Sequence, residues 1–252
     1  MKANFHRTNY FLILSLGAML IGFAPIFVKW SLLSSSAIAF YRMSLTIPFL
    51  FGLNYLLNGR LKFRVKNKRT IIYAAFASLA FTTDLTLWHY SMGITSVSNA
   101  TIIVNSAPIF VAILSFIFFK EKLSKGFVVS FLVTYLGIVG LIYYSNNYIN
   151  GKILGDILCM IAAFFYAVYL LVIARLGKEN SLNIIFYTTL FCCLFSIVPM
   201  IIEGGDIFPS SKFEWINLLL LAVLCQLGGQ YLITHAIGKI SASEGSIGLL
   251  MQ

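Results

Sequence analysis

The sequence predicts an all-α integral membrane protein assembled from two inverted five-helix repeats. Three observations predict this fold class. The 252-residue chain is 60% hydrophobic and only 10% charged, whereas soluble domains carry about 25% charged residues. Apolar segments long enough to cross a bilayer follow one another along the chain. A short motif that lies between two such segments returns later in the sequence.

Nine apolar segments are predicted as membrane spans, because a helix needs about 20 residues to cross the hydrocarbon core. Their approximate limits are 10–30, 37–57, 70–92, 97–119, 126–145, 154–174, 183–202, 215–236 and 241–252. The last segment is too short to cross the membrane and matches only the first half of a helix. We therefore expect a ten-helix architecture represented by nine spans, of which the ninth is incomplete.

The returning motif defines the repeat. Residues 93–102 read GITSVSNATI, and residues 238–247 read GKISASEGSI. The first copy joins spans three and four and the second joins spans eight and nine, so the repeat unit has five spans. An odd number of spans places the two copies in opposite orientations, as in many secondary transporters. We expect a first repeat over residues 1–147, with spans one to five, and a truncated second repeat over 148–252, with spans six to nine.

Positive charge is concentrated in alternate loops. The loop after span two contains the basic cluster Arg60–Arg69, and the loops after spans four and six are also basic, whereas the loop 203–214 is acidic. Because basic loops stay in the cytoplasm, we expect a cytoplasmic N-terminus, a cytoplasmic basic cluster and an external acidic loop. The net charge of +10 therefore orients the chain in a lipid bilayer and does not indicate a nucleic-acid partner.

Several short motifs, taken in order and spacing, resemble the drug/metabolite transporter superfamily and within it the EamA-like family of ten-helix carriers. They are Gly22–Lys29 in span one, Ala39–Arg42 in span two, Leu87–Met92, Ser96–Ala100, Pro108 in span four, Lys120–Leu123, and Leu154–Asp156 with Ala162–Ala167 in span six. The resemblance covers nearly the whole chain and implies two five-helix repeats, a transport activity and a hinge at Pro108. The sequence departs from the family in lacking the proline half of span nine, the glutamate-containing loop after it and span ten.

The fold class and the resemblance together predict a secondary active transporter of the bacterial inner membrane. It would move a small amphipathic metabolite, such as an amino acid or a drug-like compound, by alternating access, either coupled to protons or by exchange. The alternative is a truncated remnant of such a carrier that inserts into the membrane but does not transport. The motifs of serine hydrolases, zinc proteases and P-loop enzymes do not occur in the sequence, so we expect no enzyme activity, no cofactor and no metal site.

One acidic residue lies in the middle of a predicted span. An ionised Asp84 at bilayer depth is costly unless it is paired or hydrated, which makes it a candidate for proton coupling and substrate binding. The alternative is a structural hydrogen bond to neighbouring threonines such as Thr83. Trp88, one turn further on the same helical face, is either an aromatic wall of the cavity or an interfacial anchor. His89 is either a proton carrier or a solvated side chain near the span end.

Amide and phenol groups complete the predicted substrate site. Gln226 and Gln230 share one face of span eight, and the repeat register places them at positions that bracket Asp84. The alternative for both is a polar contact between helices. The remaining substrate-binding candidates are Asn105 in span four and Tyr166 and Tyr169 in span six, with Asn99 and Glu244 as further polar positions.

Two basic residues and four prolines also lie within or beside the predicted spans. Lys29 and Arg42, near the outer span ends, either extend towards the interface or contact a substrate carboxylate. The prolines, which are expected to kink their helices, are Pro25, Pro48, Pro108 and Pro199. Each kink is either a moving part or a static packing feature, and the family resemblance favours a moving part at Pro108 only.

Overall fold

The computed structural model describes residues 2–65, 67–120 and 152–240 continuously, together with isolated positions between 129 and 140, position 245 and positions 248–252. Within these residues the chain is helical apart from turns and short loops, and no strand occurs among them. The helices are α1 (Lys2–Ile21), α2 (Ala24–Trp30), α3 (Ser35–Asn58), α4 (Lys68–Ile94), α5 (Val97–Val104), α6 (Ala107–Phe119), α7 (Lys152–Arg175), α8 (Ser181–Glu203), α9 (Lys212–Leu220) and α10 (Tyr231–Ile237). A π-helical segment, Leu221–Gln230, joins the last two.

Seven stretches of the described chain are long and apolar enough to cross a membrane. They are Thr8–Trp30, Ser35–Asn58, Lys68–Ile94, Val97–Phe118, Ile153–Arg175, Ser181–Glu203 and Lys212–Ile237. These correspond to predicted spans one to four and six to eight, which confirms an all-helical, multi-pass membrane protein. Predicted spans five and nine, at 126–145 and 241–252, lie mostly outside the described residues. The count of nine spans and the inverted repeat therefore remain predictions.

Two of the spans are broken helices. The first span is interrupted between α1 and α2, and Pro25 lies at the start of α2. The fourth is interrupted between α5 and α6, and Pro108 lies at the start of α6. Proline is tolerated in the first turn of a helix, where its missing N–H would have no partner anyway. Pro48 and Pro199, in contrast, lie inside the continuous helices α3 and α8.

The helices pack around one interior. Helix α4 packs mainly against α7 and α8, α3 packs against α8, and α1 packs against the π-helical segment and α10. The last contact depends on small residues, since a Cβ added to Gly17 would lie 2.8 Å from the carbonyl oxygen of Gly229. Close approach through glycine is the usual way for membrane helices to gain packing contacts. Large apolar side chains such as Leu56 and Ile202 are exposed on the outside of the bundle, where lipid would cover them.

The basic and acidic loops lie at opposite ends of the bundle. At the basic end, the side chain of Asn183 at the start of α8 donates to the carbonyl of Arg64. At the acidic end, Glu203 at the end of α8 accepts hydrogen bonds from the backbone N–H groups of Ser35 and Ser36. Because the basic loop contacts the start of α8 and the acidic loop follows its end, the two loops lie a whole helix length apart.

Candidate functional site

A small cavity lies in the interior, where α3, α4, α7 and the π-helical segment face the two broken helices. Its volume is about 40 Å³, which is room for about three water molecules. Its lining residues are Ile21, Gly22, Pro25, Arg42, Phe81, Asp84, Leu85, Trp88, Thr101, Val104, Asn105, Tyr166, Gln230 and Gln252. The lining combines an aromatic wall with a few polar groups, as ligand sites usually do.

Asp84 projects into this cavity from the middle of α4. The residue is only 4% exposed, and its Oδ1 atom has no hydrogen-bond partner among the described residues. The neighbouring Thr83 does not satisfy it, because the Thr83 hydroxyl donates to the carbonyl of Leu79 one turn back in α4. A buried carboxyl oxygen without a protein partner is costly, so the position favours a proton, water or ligand at this oxygen.

Two further polar groups at the cavity are also buried without a hydrogen-bond partner among the described residues. The indole Nε1 of Trp88 and the amide Oε1 of Gln230 are buried and have no hydrogen-bond partner within the described part of the chain. One is a donor and the other an acceptor, so with Asp84 they offer complementary groups to a polar ligand. The amide of Gln230 is held in place at its other end, where Nε2 donates to the hydroxyl of Tyr169 across 3.1 Å.

Arg42 supplies a buried positive charge. It is 1% exposed, its Nε donates to Oε1 of Gln226 across 3.1 Å, and its guanidinium lies 5.9 Å from the ring centre of Phe81. The expectation that Arg42 could extend towards the membrane interface is wrong. Arg42 lies in the third turn of α3, where α4 and the π-helical segment enclose its side chain. Lys29 differs, since it is exposed near the end of α2.

An aromatic stack forms the wall behind the charged groups. The ring of Phe81 stacks on Tyr169, with 4.4 Å between centroids, and Tyr166 lies parallel to Tyr169 at 6.1 Å. The hydroxyl of Tyr166 accepts a hydrogen bond from Nε2 of Gln252 across 3.1 Å. These contacts fix the two tyrosines, so the wall is held in one arrangement in this conformation.

Both helix breaks border the cavity. Only glycine fits at position 22 in the first break, because a Cβ there would lie 2.7 Å from the carbonyl oxygen of Gln252. At the second break the N–H of Ser106 donates to the carbonyl of Ile103 across 3.0 Å. Residues 248 and 251, which the repeat register pairs with 103 and 106, make the same turn hydrogen bond across 3.3 Å.

Comparison with known proteins identifies the family. A model of the EamA-like transporter family matches residues 8–143 and 153–251. The chain belongs to the EamA-like transporter family. It is therefore a multi-pass membrane protein of a transporter family, which confirms the resemblance drawn from the short motifs.

Individual relatives of this EamA-like chain are distant. It is 26% identical over 162 residues to solute carrier family 35 member G1 of Mus musculus, covering 60% of this chain and 44% of the relative. It is 26% identical over 137 residues to an uncharacterized transporter of Acidianus ambivalens, covering 54% and 53%. The chain thus spans about half the length of these curated relatives. A solved crystal structure superposes with a TM-score of 0.76 over 97% of this chain and 85% of its own, at 11% identity, which supports the fold alone.

The structure brings most of the predicted site residues of the EamA-like chain together. Those that line the cavity are Asp84, Trp88, Asn105, Tyr166 and Gln230. Two others lie directly behind the lining, Tyr169 against Gln230 and Gln226 against Arg42. Their roles in substrate binding and coupling remain predictions.

Other predicted positions lie away from the cavity. Pro108 follows the second helix break without lining the cavity. His89 is buried rather than solvated, and its Nδ1 lies 3.1 Å from the carbonyl oxygen of Ser35, so it must donate there. Asn99 is buried in the first turn of α5, and Glu244 lies outside the described residues.

The depth of Arg42 and the contribution of Gly22 were not expected from the sequence, although the sequence carries an indication of each. Arg42 lies more than one helical turn inside its predicted span, after the uncharged run Ile38–Tyr41, and this depth was a usable indication. Gly22 and Pro25 are three residues apart, a combination that often interrupts a membrane helix.

Proposed function

We propose that this EamA-like chain is a secondary active transporter that moves a small amphipathic metabolite by alternating access, either coupled to protons or by exchange. The observation that carries the proposal is the set of unpartnered polar atoms on Asp84, Trp88 and Gln230 around one interior cavity. Such atoms would be costly in a purely structural core. In a carrier they would be satisfied in turn by protons, water and substrate.

The charges at the cavity favour a zwitterionic substrate. Asp84 and Arg42 both line it, so opposite charges are offered to a single small ligand. A carboxylate group would pair with the guanidinium of Arg42, and an ammonium group would pair with Asp84. The rings of Phe81 and Trp88, which also line the cavity, would hold the apolar part. An amino acid or a similar compound is therefore a suitable substrate class.

The size of the cavity supports alternating access. Ligand pockets for metabolites are typically about 300–1,000 Å³, whereas this cavity is about 40 Å³. The cavity would therefore have to widen to admit a substrate. The broken helices that border the cavity provide the places at which such movement is expected in carriers.

The repeat and the membrane orientation form part of the same proposal. The matching turn hydrogen bonds at Ser106 and Met251 support two related halves, and an inverted relation would allow the halves to exchange conformations. The basic cluster Arg60–Arg69 and the acidic loop 203–214 favour a cytoplasmic N-terminus, and the membrane that we propose is a bacterial inner membrane.

A transport assay on the full chain tests this function. The purified protein is placed in proteoliposomes loaded with a mixture of unlabelled amino acids, and uptake of the same mixture in radiolabelled form is measured with and without a pH gradient. We expect uptake above that of protein-free vesicles, its loss in Arg42→Gln, and its retention in Thr83→Val. Thr83 is the matched control because it neighbours Asp84 but bonds only within α4. Uptake equal to that of protein-free vesicles under both conditions would overturn the proposal.

A further inference from the structure

A second, larger pocket lies at the basic end of the bundle. It is an open cleft of about 740 Å³ between the end of α3, the loop that follows it and the start of α8. Its lining residues are Asn54, Tyr55, Asn58, Gly59, Arg60, Leu61, Lys62, Arg64, Asn180 and Asn183. No part of the interior cavity contributes to it, so the proposed transport function does not account for it.

The lining of this cleft is strongly positive. Arg60, Lys62 and Arg64 all border it, and no acidic residue does. The start of the 23-residue helix α8 also lies at this cleft, and the positive end of its helix dipole adds to the charge there. Arginine and lysine side chains close to the positive end of a helix dipole form a favourable environment for a phosphate group.

The loop that carries these charges is held in place by side-chain amides. Nδ2 of Asn54, a buried residue of α3, donates to the carbonyl of Lys62 across 3.3 Å. From α8, Asn183 donates to the carbonyl of Arg64 and the hydroxyl of Tyr187 donates to the carbonyl of Phe63 across 3.2 Å. A loop that only had to carry positive charge for membrane orientation would need no such attachment to two helices. The attachments instead maintain a shaped cleft.

Exposed apolar side chains lie in and beside the cleft, at the end of α3 and in the loop that follows it. Leu56, Leu57 and Leu61 are 81%, 61% and 58% exposed, and Tyr55 is 59% exposed. Exposed leucines next to a positive cleft match the boundary between the headgroups and the acyl chains of a bilayer. A soluble phosphate compound would gain nothing from these leucines, whereas a phospholipid would contact them with its chains.

We propose that this cleft binds a phosphate group, supplied by the headgroup of an anionic phospholipid in the leaflet at the basic end. The phosphate would lie among Arg60, Lys62 and Arg64, and the acyl chains would follow the exposed leucines at the end of α3. Because the lipid would tie the α3 loop to the start of α8, its binding stabilises the folded protein.

The test measures thermal unfolding of the full chain in detergent while phosphatidylglycerol is added, with phosphatidylcholine of the same acyl chains as the neutral lipid. The cleft variant is Arg60→Gln/Lys62→Gln. The matched control is Lys68→Gln/Arg69→Gln, which removes the same charges from exposed positions of the same segment that do not line the cleft. We expect phosphatidylglycerol to stabilise the wild type and the control, and to bind the cleft variant roughly thirtyfold more weakly.

Two outcomes would overturn the proposal. Equal weakening in the cleft variant and the control would mean that general surface charge attracts the lipid and that the cleft has no special role. Stabilisation by inorganic phosphate alone, at millimolar concentration and lost in the cleft variant, would mean that the bound phosphate comes from a soluble compound. Both variants are first shown to be folded, by monodisperse elution in size-exclusion chromatography and by a helix content equal to that of the wild type.

Discussion

Arg42 donates its Nε–H to Oε1 of Gln226 across 3.1 Å, and this bond joins the first half of the chain to the second. Both residues are only 1% exposed. The amide of Gln226 is oriented at its other end, where Nε2 donates to the hydroxyl of Thr189 across 3.4 Å. The glutamine thus positions a buried cation at the edge of the cavity.

Gln226→Leu is expected to destabilise the protein. The substitution keeps the side-chain volume roughly constant but leaves the guanidinium of Arg42 without this acceptor, and a hydrogen bond to a charged group contributes about 1.5–3 kcal/mol. Thermal unfolding of the purified protein in detergent measures the effect. Gln226→Glu, which keeps an acceptor for Arg42, should be closer to wild type. A Gln226→Leu protein as stable as wild type would mean that the bond contributes nothing to stability.

Asp84→Asn is expected to abolish accumulation driven by a pH gradient while leaving membrane insertion intact. Asparagine matches the size of aspartate but cannot take up and release a proton. Uptake into proteoliposomes with and without a pH gradient measures the change, and exchange at equal pH reports on substrate binding separately. An unchanged pH profile in the variant would make Asp84 a structural residue and would remove the coupling role.

Gln230→Leu is expected to weaken substrate binding without lowering expression. The Oε1 atom of Gln230 is buried at the cavity and unpartnered among the described residues, so the substitution removes an acceptor available to substrate. The concentration dependence of uptake measures this as a higher half-saturation concentration. Unchanged binding would assign Gln230 to helix packing through its bond to Tyr169.

Much of the fold was predictable because bilayer thickness determines how long an apolar segment must be. The described helices α3, α4, α7 and α8 each match a predicted span to within a few residues. Pro25 and Pro108 also predicted kinks in the first and fourth spans, where the structure has helix breaks. The sequence did not distinguish a complete break at Pro25 and Pro108 from a helix that only contains proline, as at Pro48, because the neighbouring helices decide whether exposed backbone groups find partners.

The lining of the cavity was predictable where a residue is costly in lipid whatever its neighbours, as for Asp84 and Gln230. The depth of Arg42 was not predictable in the same way, since it depends on how α3 packs against the π-helical segment. That segment is itself a tertiary feature, because nothing in the composition of Leu221–Gln230 distinguishes wide helical turns from ordinary ones. Contacts across the chain, such as the bond between Tyr166 and Gln252, require the fold to be known.

The membrane orientation gives a further prediction. Single cysteines at Leu61 and at Phe208, both exposed loop positions, are introduced into a variant in which the four buried native cysteines are replaced. An impermeant thiol reagent applied to intact cells should label the cysteine at 208 and not the one at 61, because basic loops remain in the cytoplasm. Labelling at 61 in intact cells would reverse the assigned orientation.

Glu214 is expected to keep the acidic end of the bundle closed. Its carboxylate accepts hydrogen bonds from the Ser31 hydroxyl at 3.0 Å and from the Leu32 N–H at 2.9 Å, and so attaches the loop before α3 to the start of α9. Glu214→Ala removes these bonds, so this end should open more often. A cysteine at position 105, beside the cavity, should then be labelled several-fold faster from that side.

Asp206→Ala is the matched control for this measurement. Asp206 lies in the same acidic loop, but it contacts the loop before α3 through its backbone carbonyl, which accepts from Ser34 N–H. Removing its side chain therefore changes the charge of the loop and leaves that contact in place. Equal labelling rates in Glu214→Ala and Asp206→Ala would show that loop charge, and not the bonds made by Glu214, controls access to the cavity. A faster rate in Glu214→Ala alone identifies its carboxylate as the group that holds this end closed.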